Sequence, residues 1–256
     1  MFLTGKTAAV LGASGDIGRA IALRLAELGA DLSLTGRTAE KLSAVAEDIR
    51  GKTGRVVKSF QHDLRGSGES TAFVKETIDA FGRLDVLVTC AGDFKRGEVC
   101  DISQDDWKSG FELMFVGAAT AVAAGWSHLK QQGGHIIMIS GLHGLEPHAE
   151  SIVSGPICAA ILNFAKGASH SATRDGISLN CIVPGWIEGR RLSTRLDKVE
   201  NTSREAAQEN FRKQLELRRF GRPEDVANVV ELLVSDKGSY IQGASIVLDG
   251  GMTHAI

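Results

Sequence analysis

The hydrophobic period of this sequence switches back and forth along the whole chain, and that alternation limits the possible folds more than any other feature. Thr7-Ala8-Ala9-Val10-Leu11 is a short apolar run ending in a glycine turn, and Ile17, Ala20, Ile21, Leu25 and Leu28 follow at helical spacing. A second strand, Asp31 to Thr35, comes after Gly29, and a helical stretch runs from about 38 to 50. The cycle repeats with strands over 55–60, 84–90, 135–140 and 178–183 and helices over 68–81, 103–131 and 155–172. A helix near 223–235 and a last strand, Ser245 to Leu248, close the chain. Seven strands alternating with six helices predict an α/β fold. The sheet is parallel and doubly wound, because parallel strands need crossovers and crossovers cover both faces. No linker, repeat or low-complexity tract interrupts the 256 residues, so one domain over 1–256 is expected.

Composition narrows the function classes. A net charge of −2, from 29 basic and 31 acidic residues, is not that of a counterion-release binder, so no nucleic-acid partner is expected. Cys90, Cys100, Cys158 and Cys181 form no C-x-x-C pair and no leader is visible, which reads as reduced thiols. The longest apolar stretch, 115–126, is too short to span a bilayer, so a soluble cytoplasmic protein without a membrane partner is expected. Thirty glycines exceed the usual share of about 7%. Tyrosine is at the other extreme: Tyr240 is the only one.

Residues 187–222 break the rhythm. From Arg190 to Arg222 ten Lys/Arg stand against five Asp/Glu. Two readings apply: a solvated helical pair, or a substrate lid over the carboxyl edge of the sheet that favours an anionic ligand.

The glycine turn Gly12-Ala13-Ser14-Gly15-Asp16-Ile17-Gly18 lies between the first strand and the first helix, where backbone N–H groups and the helix N-terminus can face a pyrophosphate. Further signals follow in order: Gly36-Arg37, Asp63-Leu64, Cys90-Ala91-Gly92, Asn180 with Pro184-Gly185, and Asp249-Gly250-Gly251. Together they resemble the short-chain dehydrogenase/reductase family over essentially the whole chain. The resemblance implies a Rossmann-like fold and a nicotinamide dinucleotide held by Gly12, Ser14, Gly15, Asp16, Ile17, Gly18, Arg37, Asp63, Leu64, Ala91, Gly92, Pro184 and Gly185.

Two residues shape that cofactor expectation. Asp16 stands where the family has the second glycine of its fingerprint. It is read as an N-cap for the first helix, or as a carboxylate that weakens dinucleotide binding, so that no cofactor at all is the other possibility. Gly36 stands where NAD-specific members carry an acid, and Arg37 beside it suits a 2′-phosphate, favouring NADP(H) over NAD(H).

The family reduces carbonyls or oxidises alcohols with an asparagine, a serine, a tyrosine and a lysine. Carried over residue by residue, those positions are Met114, Gly141, Ser154 and Cys158, so none of the four groups is kept. Ser140 is one residue early for the serine. Tyr240 falls in Tyr240-Ile241-Gln242-Gly243, the family's lead-in to the last strand, and is expected to be a packing residue. An alkoxide formed by hydride addition needs a proton donor within reach, and His143 and His148 on the loop after the serine position are candidate substitutes. Their spacing lacks an acidic ligand, so no metal is expected. Cys158 is read as a small buried residue, with a thiolate near a helix N-terminus as the other reading. Three functions remain open: an NADP(H)-dependent oxidoreductase using substitute groups, a non-catalytic pseudoenzyme or partner subunit, and a non-redox enzyme in the same cleft. The resemblance also implies a homo-oligomer, dimer or tetramer, built through the long central helices and the last strand, acting on a small-molecule substrate.

Overall fold

Successive side chains of a strand point to opposite faces, and in the central strands of this chain both sets are buried, so those strands need cover on two sides. The computed structural model describes residues 1–199 and 202–254. Its strands are β1 (Thr7–Leu11), β2 (Asp31–Gly36), β3 (Val57–Gln61), β4 (Val86–Thr89), β5 (His135–Ile139), β6 (Ser178–Pro184) and β7 (Ser245–Leu248). They form one sheet in the order β3-β2-β1-β4-β5-β6-β7, with every neighbouring pair parallel. Ala8 and Val10 of β1 enter the core on one face with Val86, Val88 and Ile137, whereas Ala9 and Leu11 enter the other with Leu87, Ile136 and Met138.

The crossovers are α1 (Asp16–Glu27), α2 (Ala39–Thr53), α3 (Glu69–Phe81), α4 (Gln104–Phe111) continuing into α5 (Gly117–Gln132), and α6 (Ser154–Arg174). Two short helices, α7 (Arg190–Leu196) and α8 (Arg204–Gln214), precede α9 (Pro223–Leu233), the crossover to β7. Chain direction across the sheet reverses between β1 and β4. Leu11 pairs with Thr35 on one side and Thr89 on the other, so the crevice opens there at the carboxyl ends of the strands.

The predicted fold class holds, with local differences. The predicted helix 103–131 is not continuous, because a π-helical turn, Glu112–Val116, joins α4 to α5 and the Gly117 N–H donates to the Glu112 carbonyl. The run Gln104–Gln132 is 29 residues and apolar enough over one window to cross a membrane by length and composition, longer than the apolar stretch suggested. Its place is inside the fold, packed on α3, α6, β4 and β5.

The segment 187–222, apart from residues 200 and 201, which lie outside the described residues, is a helical pair with its own small core. Leu192, Leu196, Ala207, Leu217 and Phe220 are buried there, flanked by Trp186 and Phe211. Tyr240 corrects an expectation: it is fully exposed, and the packing at that point is done by its neighbours. Ile241 turns into the core, and the Gln242 amide donates to Ile177 O at 3.0 Å and accepts from the Leu179 N–H at 2.9 Å.

Candidate active site

β1 ends in a turn whose first residue, Gly12, has φ +81°, and a Cβ there would lie 2.7 Å from the backbone of Ala91. A residue with a side chain would therefore separate the turn from the end of β4. Gly15 is the N-cap of α1 and supplies no side-chain hydrogen bond. The first N–H groups of α1 are left to a ligand, and the helix dipole favours a negative one.

Asp16 is not that cap. It is the first residue of α1, and its Oδ2 accepts a hydrogen bond from the Arg190 N–H at 2.8 Å, fastening α1 to the start of α7. A carboxylate oxygen has one short reach, and the approach of Gly189–Arg190 offers it a donor outside α1.

At the end of β2, Arg37 is 58% exposed and nearly free, with Asp93 3.9 Å away. Thr38 and Lys41 share this wall of a cleft of about 480 Å³. Asp63 and Leu64 follow β3 on the same wall. Arg65 beside them reaches Asp63 at 3.4 Å and Asp93 at 3.6 Å, and its Nε donates to Ser109 Oγ at 2.7 Å. His62 is gripped between Glu69 (2.6 Å) and Glu76 (2.7 Å). Its burial opposes a charge, but the hydrogen bonds to Glu76 and Glu69 outweigh that and raise its pKa.

The inner end of the cleft is formed by Cys90, Ala91, Gly92, Met114, Ser140, Gly141, Pro184 and Gly185. Met114 sits on the π-helical turn, and its Cε would be 3.8 Å from a Cβ on Gly92. Gly141 abuts Cys158, whose Sγ is 3.3 Å from where its Cβ would be. Ser140 lies in the lining, but its Oγ donates to the Cys158 carbonyl at 3.0 Å. Ser154 and Cys158 are buried in α6 behind this wall and are not among the lining residues. Burial pushes the Cys158 thiol pKa up against the opposing pulls of Ser140 and Arg191, so this sulfur is a packed thiol and not a thiolate. The Cys90 thiol is pushed up to about 12 by burial.

His143 and His148 stand side by side, ring centroids 5.6 Å apart, next to the cleft and outside its lining. Burial lowers the His143 pKa, and the nearby His148, Arg96 and Arg191 add to this against a hydrogen bond involving Glu146. His148 is exposed and its Nδ1 accepts from the Glu150 N–H at 3.3 Å.

The thirteen residues expected from the sequence to hold a dinucleotide all line this one cleft. Several of their neighbours were not expected there. Lys41 carries a readable signal, one helical turn after Arg37. Arg65, Arg96 and Arg191 carry none, because only the fold brings them together. Arg191 lies with its guanidinium over the Phe94 ring at 4.9 Å, and Arg96 lies between Phe94 (5.9 Å) and Trp186 (5.4 Å).

Comparison with known proteins agrees with this fold. A family model described as enoyl-(acyl carrier protein) reductase matches residues 12–253. The 3-oxoacyl-(acyl-carrier-protein) reductase FabG of Staphylococcus aureus (strain Mu50) is 32% identical over 251 residues, covering 96% of this chain and 98% of that protein. The chain belongs to the short-chain dehydrogenase/reductase family. Among solved structures, L-sorbose reductase from Gluconobacter frateurii, complexed with NADPH and L-sorbose, superposes with a TM-score of 0.93 at 26% identity, covering 99% of this chain and 98% of that one. A short-chain dehydrogenase from Burkholderia cenocepacia J2315 in complex with NADP does so with a TM-score of 0.86 at 30% identity, covering 98% of each.

Proposed function

We propose that this protein is an NADP(H)-dependent oxidoreductase of small carbonyl compounds whose proton donor is not a tyrosine. The observation that carries the reading is the wall at the end of β2, where Gly36 offers no carboxylate and Arg37, Thr38 and Lys41 offer cationic and hydroxyl donors to a 2′-phosphate. The NADPH and NADP complexes of the similar structures support it.

The residues fit such a cofactor. The Gly12 turn brings the backbone close, the α1 N-terminus is uncapped, Asp63 and Leu64 flank the adenine end, and Ala91, Gly92, Pro184 and Gly185 flank the nicotinamide end. When bound, NADPH would supply a hydride. The chain's part is to hold the carbonyl against the inner wall, keep water out with Met114, and provide a proton. Met114, Gly141, Ser154 and Cys158 stand at the family's catalytic positions and supply no acid, which leaves His143, His148 or solvent for that last task. A lowered His143 pKa keeps the ring mostly neutral near pH 7, so a reduction that uses it speeds up as the pH falls.

The test is calorimetric titration with NADPH and NADH, followed by NADPH oxidation over a panel of carbonyl compounds. Absence of NADPH binding refutes the reading, and turnover lost in His143→Ala or His148→Ala identifies the donor. A second reading, a cofactor-binding partner subunit without turnover, is favoured by the inner wall of Met114 and Gly141, which offers no proton donor. NADPH binding with no oxidation of any substrate would select it.

The reading includes a homo-oligomer in the cytoplasm. β7 is an edge strand of the sheet, and Tyr240 shortly before it and Val247 within it are exposed. A monomeric mass by sedimentation would refute the assembly.

A further inference from the structure

We propose that Arg96 and Arg191 form the receptor for a carboxylate carried by the substrate, so that the compound reduced is an oxo acid or a similar anionic carbonyl. The substrate role rests on the reductase reading above, whereas the anion site stands on its own geometry. Arg191, from the first turn of α7, reaches the inner end of the cleft, its Nη2 lying 3.6 Å from where a Cβ on Gly92 would be. The cleft is open, so the residue as a whole is exposed, yet its guanidinium end is surrounded by protein and burial lowers its pKa. Arg96, from the loop after β4, is half-buried, and burial first, then Arg191 and Arg195, lower its pKa as well.

Among the described residues neither guanidinium has a hydrogen bond or an ion pair. The acids within electrostatic reach are already taken. Asp93, which bears on Arg191, is shared by Arg37 and Arg65, and Glu150, which bears on Arg96, is paired with Arg195 at 3.1 Å. Two unpaired cations that bear on each other repel, and a ligand anion between them removes that repulsion.

The aromatic rings explain how they are kept ready. The Phe94 ring is close to both guanidiniums, at 5.9 Å from Arg96 and 4.9 Å from Arg191, and the Trp186 ring is 5.4 Å from Arg96. Cation–π attraction to these rings holds the two charged ends in place without using their N–H donors. Two guanidinium forks suit a planar carboxylate. The dinucleotide's phosphates are the other possible source of anionic charge, but they have the uncapped α1 N-terminus and Arg37 elsewhere in the cleft, and Arg96 lies outside the dinucleotide wall.

The experiment uses malonate, an unreactive dicarboxylate, and its dimethyl ester, titrated by calorimetry into the whole protein with and without saturating NADPH. Malonate is expected to bind in both conditions and the ester in neither. Arg96→Gln is expected to weaken malonate by about tenfold or more, with Arg96→Lys in between and NADPH affinity within about twofold. No malonate binding overturns the proposal. Malonate displaced by NADPH overturns it too, because the arginines then serve the cofactor's phosphates, and so does an Arg96→Gln protein that binds malonate normally. If NADPH itself does not bind, the reductase reading falls, and the titration without nucleotide still decides the anion site.

Discussion

The Asp16 carboxylate accepts a hydrogen bond from the Arg190 backbone N–H at 2.8 Å, joining two residues 174 positions apart across the mouth of the cleft. The contact explains Gly189, which has φ +134° and where a Cβ would lie 2.3 Å from Asp16 Oδ2. It also sets a negative charge at the helix end that is otherwise open to a pyrophosphate. Like charges about 4–5 Å apart at a partly solvated site repel by roughly 1–3 kcal/mol. Asp16→Gly is therefore expected to bind NADPH about tenfold more tightly. Asp16→Asn should show most of that gain, since it removes the charge and keeps an acceptor for the Arg190 N–H. Calorimetry at low and high salt checks it, because a charge effect shrinks as salt screens it.

Arg37 offers a second measurement. Its guanidinium is 58% exposed and has only a distant acid, so removing it should cost the fold almost nothing. Arg37→Ala is expected to weaken NADPH by about tenfold to a hundredfold, the value of one or two charge-assisted hydrogen bonds to a phosphate. NADH affinity should stay the same. A parallel loss for both nucleotides would remove Arg37 from the 2′-phosphate site.

The thiols should react in a fixed order. Cys100 is exposed, Cys158 and Cys181 are buried, and the Cys181 pKa is pushed up to about 12 by burial. Ellman's reagent added to native protein is expected to modify Cys100 quickly, the half-buried Cys90 of the cleft slowly, and Cys158 and Cys181 only as the protein unfolds. Rapid loss of a second thiol, absent from Cys158→Ala, would mean that Cys158 is an activated nucleophile.

His62 makes stability depend on pH. Its folded pKa is raised above the ordinary 6.5, because hydrogen bonds to Glu76 and Glu69 outweigh the opposing effect of burial. The protonated ring then stabilises the fold fully below pH 6.5, and that contribution is lost as pH rises through the folded value. Urea midpoints measured from about pH 6 to 9 should fall in the native protein more than in His62→Gln. Parallel curves would exclude the grip of Glu69 and Glu76.

Much of this architecture could be read in the chain. Apolar runs such as Thr7–Leu11 and His135–Ile139, each followed by helical spacing, announce buried parallel strands because nothing else places that period between crossovers. The glycine turn and the residues ending β2, β3, β4 and β6 all reach one cleft, because the carboxyl ends of parallel strands share a level. What escaped were relations set by tertiary approach. Asp16 looks like a cap until Arg190 is beside it. Arg96 and Arg191 look like unrelated surface cations until the fold sets Phe94 beside both and Trp186 beside Arg96. Tyr240 looked like a packing residue by its place in a motif, although its neighbours Ile241 and Gln242 do that work.

The π-helical turn Glu112–Val116 has a consequence for how this protein can change. It amounts to one surplus residue in a helix, and each residue of an α-helix advances the spiral by about 100°. The wide turn takes up that extra advance, so α4 and α5 keep the faces that a regular helix would present. Loss of one residue from the turn would let α4 and α5 fuse into a regular helix with both halves still in phase, and only the wall around Met114 would be redrawn. Loss of a residue from α4 or α5 themselves has no such slack and would rotate one side by about 100°.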